Sequence, residues 1–176
     1  MSGHSKWSQI KHKKGASDQK RGQLFGKLSK KISLAAKGNP NTNTNAKLQA
    51  MIAEAKSFNM PKDNIERAVR KAEDKDIANL KNVTIQAIGQ ASIALVIEAI
   101  TDNSNRTINE VKNILTKNDA RMVPEGSLNW MFDQEKNPLS PLDIANQIIL
   151  AKMDKLFNEL DENEDVENVY TNLRND

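Results

Sequence analysis

The sequence predicts an α+β protein in which an N-terminal three-helix bundle precedes a small α+β domain with a mostly antiparallel sheet. Apolar residues recur at helical spacing in three short segments between Asp18 and Ala72. After Asp76 the pattern changes to β-branched residues at every second position. The charge changes at the same place: residues 1–72 contain 16 Lys and Arg against 4 Asp and Glu, whereas residues 73–176 contain 10 against 19.

Three helices are predicted in the basic half. The first begins at Asp18, a favourable N-cap residue, and stops before Gly38; the second starts near Ala46, and the third follows Pro61, which suits the first turn of a helix. Their apolar faces are narrow, so the helices are expected to be stable only when packed as a bundle. The inward residues are expected to be Leu24, Phe25, Leu28, Ile32 and Ala35, then Leu48, Met51, Ile52 and Ala55, then Ile65, Ala68, Val69 and Ala72.

The acidic half alternates strand and helix patterns. Two strands, around Val83 to Ala87 and Ile93 to Ala99, are expected to be joined by a hairpin turn at Gly89 to Ser92. A helix carrying Ile108, Val111, Ile114 and Leu115, a third strand at Leu128 to Phe132, a helix at Ile144 to Leu160 and a last strand at Val166 to Leu173 complete the prediction. The expected organisation is a basic arm at 1–17, the bundle at 18–76 and the acidic α+β domain at 77–176.

Several classes of protein are disfavoured by what the sequence lacks. There is no cysteine, no apolar run near the roughly 18 residues of a membrane span and no apolar signal-peptide core, so we expect a cytoplasmic protein away from the membrane. No catalytic motif assembles, so we expect no enzyme, no cofactor and no small-molecule substrate. His4 and His12 are spaced too irregularly for a metal pair, and the acidic cluster from Asp161 to Asp165 is interpreted as a solvated loop.

The segregated positive charge points instead to a nucleic-acid partner, because solubility alone would be served by positive and negative residues that alternate along the chain. The arm and the first helix form a cationic stripe expected to contact phosphates, with little reading of bases because no recognition helix stands out. The predicted nucleic-acid-binding residues are Lys6, Trp7, Lys11, His12, Lys13, Lys14, Lys20, Arg21, Lys27, Lys30, Lys31, Arg67, Arg70 and Lys71. We also consider weak self-association, in which the acidic half of one molecule competes for the basic half of another.

Two segments keep alternative interpretations open. The arm is either ordered on binding or a frayed terminus, and its Trp7 either stacks on a base or anchors the arm on the bundle, the interpretation we prefer. The loop Thr101 to Thr107 precedes a helix N-terminus and could contact an anion through Asn103, Asn105, Arg106 and Thr107. Ordinary turn formation and helix capping also explain this loop, and we favour that structural interpretation.

The motifs GHSKWSQIKHKKGASDQKRGQLFGKLSKKI, FNMPKDNIERAVRKA, IEAITDNSNRT, GSL and DVENVYTNL resemble, in this order, those of the YebC-type family. The resemblance covers most of the chain. It implies a DNA-binding transcriptional regulator or, as for the related mitochondrial translational activator of cytochrome oxidase, a factor that acts on the ribosome and its RNA. Both activities need an anionic nucleic acid.

The chain departs from the family pattern at two places. Gly89 to Ser92 replaces a turn that is usually richer in glycine and proline. The larger difference is that relatives insert a further α+β domain between the strand expected near Phe132 and the last helix, where this chain has only the linker Asp133 to Asp143. We therefore expect a shortened member, and whatever the additional domain contributes in relatives is not assumed here.

Overall fold

The computed structural model describes residues 18–74 and 79–174. The described chain divides into two compact units. The first contains residues 18–74, 79–82 and Ile100–Asn103, and the second contains Val83–Ala99 and residues 104–174. The predicted arm at 1–17 lies outside the described residues. None of the described helices is long and apolar enough to cross a membrane.

The first unit contains the three predicted helices. Helix α1 spans Asp18–Ala36, α2 spans Ala46–Ser57 and α3 spans Lys62–Arg70, and a short 3₁₀ helix, Lys71–Glu73, follows α3. The bundle prediction is confirmed. The buried core consists of Leu28, Ile32, Ala35, Ala36, Leu48, Ala55, Met60, Ile65 and Ala68.

The connection from α1 to α2 is built by local polar chemistry. Gly38 has a φ of +81°, a left-handed conformation that glycine adopts without steric cost, and it ends α1. Asn45 caps α2 by accepting from the backbone N–H of Leu48 at 3.0 Å, and its side-chain amide donates to the carbonyl of Ala35 at 2.7 Å. One side chain therefore begins α2 and ties it to the end of α1.

The second unit is a four-stranded antiparallel sheet with two helices, so the α+β class is confirmed. Strands β1 (Lys81–Ile88) and β2 (Ala94–Thr101) are followed by helix α4 (Ser104–Lys117) and strand β3 (Arg121–Val123), then by helix α5 (Gln147–Glu162) and strand β4 (Val166–Thr171). The strand order is β3-β1-β2-β4. The main core contains Ile85, Ala87, Ile93, Leu95, Ile97, Val111, Leu115, Met153, Leu156, Phe157, Leu160, Val166 and Val169.

The register of β2 against β4 separates the two faces of the sheet. Leu95 lies opposite Thr171 and Ile97 opposite Val169, whereas Val96 lies opposite Tyr170 on the other face, because successive side chains of a strand alternate. The expected hairpin between β1 and β2 is present and contains a 3₁₀ turn, Gln90–Ser92, in which Ala91 and Ser92 have positive φ values. Gly89 closes this turn by donating its backbone N–H to the carbonyl of Ile93 at 2.8 Å.

The predicted third strand at Leu128 to Phe132 is wrong. Asn129–Met131 form a 3₁₀ helix, and the strand lies earlier, at Arg121–Val123. Buried Gln86 causes this arrangement: its carbonyl oxygen accepts from the backbone N–H of Leu128 at 2.9 Å, and its amide donates to Asn129 at 2.8 Å. Leu128 and Phe132 thus cover the second face of the sheet, against Ala94 and Val96, without adding a strand.

Helix α5 also begins three residues later than expected. The prediction placed its start at Ile144, but Asn146 caps the helix by accepting from the backbone N–H groups of Ile148 and Ile149 at 2.9 and 3.3 Å. Ile144 instead packs on the main core before the helix begins. Because Ile144 continues the apolar periodicity, the predicted helix began before Asn146, the residue that caps it.

Candidate nucleic-acid interface

The two units carry opposite charge. Residues 18–74 contain 12 Lys and Arg against 6 Asp and Glu, which gives a formal charge of +6. Residues 79–174 contain 9 against 15, which gives −6. Within the described residues, the cationic surface therefore belongs to the helical bundle.

Helix α1 places its cations in unequal surroundings. Lys20 and Arg21, at its first turn, are exposed, and Lys30 is half-buried. Lys31 donates to Oε1 of Glu54 at 3.0 Å, which joins α1 to α2, and only 12% of its side chain is exposed. Lys27 is 3% exposed.

The expected continuous surface stripe along α1 is therefore wrong at Lys27 and is altered at Lys31. A helical wheel places Lys27 and Lys31 one turn apart, and Leu24, Leu28 and Ile32 adjoin this side of the helix. Sequence periodicity could not show that the lysine side of α1 would be enclosed. The exposed charge of α1 is accordingly concentrated at its N-terminal turn and at Lys37 after its last turn.

Helix α3 presents the clearest cationic face. Arg67 and Arg70 of α3 and Lys71, its C-cap in helical conformation and the first residue of the 3₁₀ helix, are all exposed. They stand at positions i, i+3 and i+4, which lie on one side of a helix. The opposite side carries the buried residues Ile65 and Ala68. The structure thus brings together the three cations that the sequence predicted for this helix.

Asn64 belongs to the same face, and sequence reasoning did not identify it. The side-chain oxygen of Asn64 accepts from Nη2 of Arg67 at 2.8 Å. This contact fixes the direction of the Arg67 guanidinium. The three-residue spacing between Asn64 and Arg67 was the signal in the sequence that could have found it.

A hydrogen bond between helices positions the cationic end of α3. Ser33 of α1, itself buried, donates its hydroxyl to the carbonyl of Ala68 at 2.7 Å. Arg70 and Lys71 follow Ala68 within one helical turn. Lys37 follows Ser33 by one turn, and its backbone N–H donates to the Ser33 carbonyl at 3.1 Å. The bond therefore anchors a region that carries exposed cations on both helices.

The segment Thr101–Thr107, predicted as a loop, ends β2 and forms the first turn of α4, with only Asp102 and Asn103 between the two elements, and hydrogen bonds within the protein organise it. Asp165, only 3% exposed, accepts from Nη2 of Arg106 at 2.8 Å and from the hydroxyl of Thr107 at 2.7 Å. Arg106 also lies 3.9 Å from Oε1 of Glu110. These side chains join the start of α4 to the residue before β4, so the geometry favours the structural interpretation.

The two asparagines of this loop differ. The backbone N–H of Asn103 donates to the hydroxyl of Thr101 at 3.0 Å, as expected of a turn, while Asn105 lies exposed on the first turn of α4. Asp165 was predicted to belong to a solvated acidic loop, and its burial corrects that expectation. The two side chains that donate hydrogen bonds to Asp165 lie 58 and 59 positions earlier in the chain. Local sequence patterns do not relate residues that far apart.

Two carboxyls of the second unit, Asp119 and Glu159, have pKa values below their ordinary values. The Lys152 ammonium hydrogen-bonds to Asp119 at 3.0 Å and keeps the pKa of that carboxyl below its ordinary value of 3.8, with a smaller contribution from Gln90. The side chain of Asn118 lowers the pKa of Glu159 from 4.5, with help from Lys117 and Lys155. These contacts extend the pH range in which the two carboxyls stay ionised to lower values.

The remaining predicted binding residues lie outside the described ranges. They are Lys6, Trp7, Lys11, His12, Lys13 and Lys14. His4, considered as a metal ligand, lies there too. Among residues 18–74 and 79–174, no group of three or more His, Cys, Asp or Glu residues could hold a metal ion.

Fold and charge define a two-unit protein with a basic helical bundle and an acidic α+β unit. Two family profiles match it: one described as the TACO1/YebC protein N-terminal domain, over residues 5–75, and one described as the TACO1/YebC second and third domain, over residues 80–137. Together they match well over half of the sequence. The chain belongs to the TACO1/YebC family, which confirms the resemblance.

Individual relatives agree with this assignment. A protein of Desulfosudis oleivorans called a probable transcriptional regulatory protein is 47% identical over 137 residues, which are 77% of this chain and 56% of the relative. A protein of Geotalea uraniireducens with the same name is 43% identical over 159 residues, 89% of this chain and 62% of the relative. The chain thus spans a little over half the length of these curated relatives.

A solved structure supports the fold. The crystal structure of a conserved hypothetical protein, Aq1575 from Aquifex aeolicus, superimposes with a TM-score of 0.84 at 27% sequence identity. The alignment covers 97% of this chain and 97% of that one. The architecture described above is therefore similar to one seen experimentally.

Proposed function

We propose that this protein is a cytoplasmic, nucleic-acid-binding regulator of gene expression, and specifically a DNA-binding transcriptional regulator that holds the phosphate backbone through its basic N-terminal region. The observation that carries the proposal is the exposed cationic face of α3, Arg67, Arg70 and Lys71, on a bundle with a formal charge of +6. The names of the curated relatives support the transcriptional role.

Electrostatics gives the proposal its physical basis. Lys and Arg side chains that neutralise phosphates release condensed counterions, and this release supplies much of the affinity of DNA-binding proteins. The acidic α+β unit, with its negative formal charge, cannot neutralise phosphates in this way. We therefore propose that the bundle makes the contact with the nucleic acid.

The cations of the first helix are proposed to divide into two groups. Lys20, Arg21 and Lys30 contact phosphates, together with Lys6, Lys11, Lys13 and Lys14 of the arm. Lys27 and Lys31 act within the bundle, since the former is buried and the latter is bound to Glu54. This division reduces the number of phosphate contacts expected from α1 itself.

The alternative to DNA is ribosomal RNA, which presents the same phosphates to the same cations. Cross-linking in cells followed by sequencing of both bound DNA and bound RNA tests the choice. We expect DNA fragments enriched upstream of genes, and a strong loss of recovery for a variant with Arg67, Arg70 and Lys71 each changed to Gln. Recovery of ribosomal RNA without DNA would establish the translational alternative, and recovery of neither would exclude both.

A further inference from the structure

The connection between α2 and α3 has the form of a helix-turn-helix. Helix α2 ends at Ser57, four residues follow, and α3 begins at Lys62. Turns of three or four residues are characteristic of this motif. Helix α1 packs on both α2 and α3, whereas α2 and α3 make few contacts with each other. Both helices are therefore positioned by their packing on α1.

The turn itself is rigidly specified. Asn59 has a φ of +58°, its backbone N–H donates to the carbonyl of Lys56 at 2.9 Å, and that of Met60 donates to Ala55 at 3.0 Å. This pair of bonds is a Schellman motif, which satisfies the last carbonyls of α2. Met60, 5% exposed, is buried in the bundle core, and Pro61 then starts α3. The direction of α3 is thus fixed relative to the bundle.

The outward face of α3 carries the residue types that read base edges. Arginine forms paired hydrogen bonds with guanine, and asparagine does so with adenine. Arg67 and Asn64 are held together at 2.8 Å on this face, with Arg70 and Lys71 one turn further along. Asp63, also exposed, is a carboxylate of the kind that accepts from the amino group of cytosine.

Dimensions agree with insertion into a groove. An α-helix with its side chains is about 10–12 Å in diameter, and the major groove of B-form DNA is about 12 Å wide. The nine residues of α3 extend about 13 Å along the helix axis. At about 3.4 Å per base pair, such a helix spans three or four base pairs. The narrow, deep major groove of an RNA helix does not admit side chains in this way, so the geometry favours duplex DNA.

We infer that α2 and α3 form a helix-turn-helix whose second helix enters the major groove of duplex DNA, where Asn64 and Arg67 read base edges. The inference rests on the proposed function and extends it from phosphate holding to sequence recognition. In this arrangement the flanking phosphates are held by Arg70, Lys71 and the cations of α1. The hydrogen bond from Arg67 to Asn64 orients these two side chains in the protein without DNA.

The test is selection of duplexes from a random library by the full chain, followed by affinity measurements on the selected duplex and a shuffled duplex at one salt concentration. We expect a short enriched site of three or four base pairs. Arg67→Lys keeps the charge but loses the paired hydrogen bonds, so the ratio of the two affinities should fall about tenfold or more, with shuffled-duplex affinity changed less than twofold. Asn64→Ala should lower the same ratio.

Matched variants elsewhere serve as controls. Arg121→Lys, at an exposed position of β3, and Asn113→Ala, at an exposed position of α4, should leave both affinities unchanged. Circular dichroism should show the same helicity for every variant.

Each other outcome is decisive. Duplex binding without any enriched sequence would overturn the inference and leave the proposed function standing, as would an enriched site whose preference survives both Arg67→Lys and Asn64→Ala. Failure to bind duplex DNA, with capture of structured RNA instead, would overturn the inference and the transcriptional proposal together.

Discussion

Lys31 and Glu54 join α1 to α2 through a hydrogen-bonded ion pair, with 3.0 Å between Nζ and Oε1 and only 12% and 30% of the two side chains exposed. A surface ion pair contributes little because water screens it, but enclosure strengthens the attraction and makes the loss of one partner costly. This lysine therefore stabilises the bundle, in contrast to the exposed cations around it.

Reversing the charge of Lys31 should destabilise the protein. Lys31→Glu places two carboxylates together, and we expect the free energy of unfolding of the bundle to fall by about 1–3 kcal/mol. The exchanged pair Lys31→Glu with Glu54→Lys should recover part of this loss. Urea unfolding followed by circular dichroism measures both. Lys47→Glu, at an exposed position of α2, is the control; an equal loss there would contradict a specific ion pair.

Replacing Thr107 by Val should test the structural role of the Thr101–Thr107 loop. The hydroxyl of Thr107 donates to buried Asp165 at 2.7 Å, so its removal should lower the free energy of unfolding by about 1–3 kcal/mol and leave nucleic-acid affinity unchanged. Thr116→Val removes an exposed hydroxyl from the same helix and should change stability by less than about 0.5 kcal/mol. A loss of affinity without a loss of stability would instead support the anion-contacting interpretation.

Glu159 should titrate below its ordinary pKa of 4.5, because Asn118, Lys117 and Lys155 favour its ionised form. The stabilisation from this group is fully present above pH 4.5 and is lost as the pH falls through its lower, folded-state pKa. Asn118→Ala removes the principal cause and should raise the pKa toward 4.5. Carboxyl chemical shifts in NMR measure it directly. An unchanged titration in the variant would show that the lysines alone lower the pKa.

Affinity for duplex DNA should depend strongly on salt. If about six cations of residues 1–31 meet phosphates, they should contribute about −5 to the slope of log affinity against log salt concentration, and Arg70 and Lys71 should add to it. Deleting residues 2–17 removes Lys6, Lys11, Lys13 and Lys14 and should reduce the slope by about three or four while helicity is retained. Titrations at several salt concentrations provide the slopes. A full slope after the deletion would mean that the bundle binds without the arm.

Local patterns predicted most of the regular structure correctly. The three helices of the bundle and the antiparallel hairpin were recognised because their apolar residues repeat at periods of about 3.6 and 2. The errors arose where those signals are weak. β3 is only three residues long, too short to show a period, and the apolar run Leu128 to Phe132 is folded into a 3₁₀ helix by Gln86, which lies more than forty residues earlier.

The sequence by itself determined the fold class, the family and the separation of positive from negative charge, because these depend on neighbouring residues and on composition. Tertiary structure alone decided which cations are available. Lys27, Lys30 and Lys31 are alike in the sequence, yet one is buried, one is half-buried and one is bound to Glu54. It also joined α1 to α3 through the hydrogen bond from the hydroxyl of Ser33 to the carbonyl of Ala68. The physical reason is that burial and pairing depend on which helices pack together, and periodicity within a single helix does not contain that information.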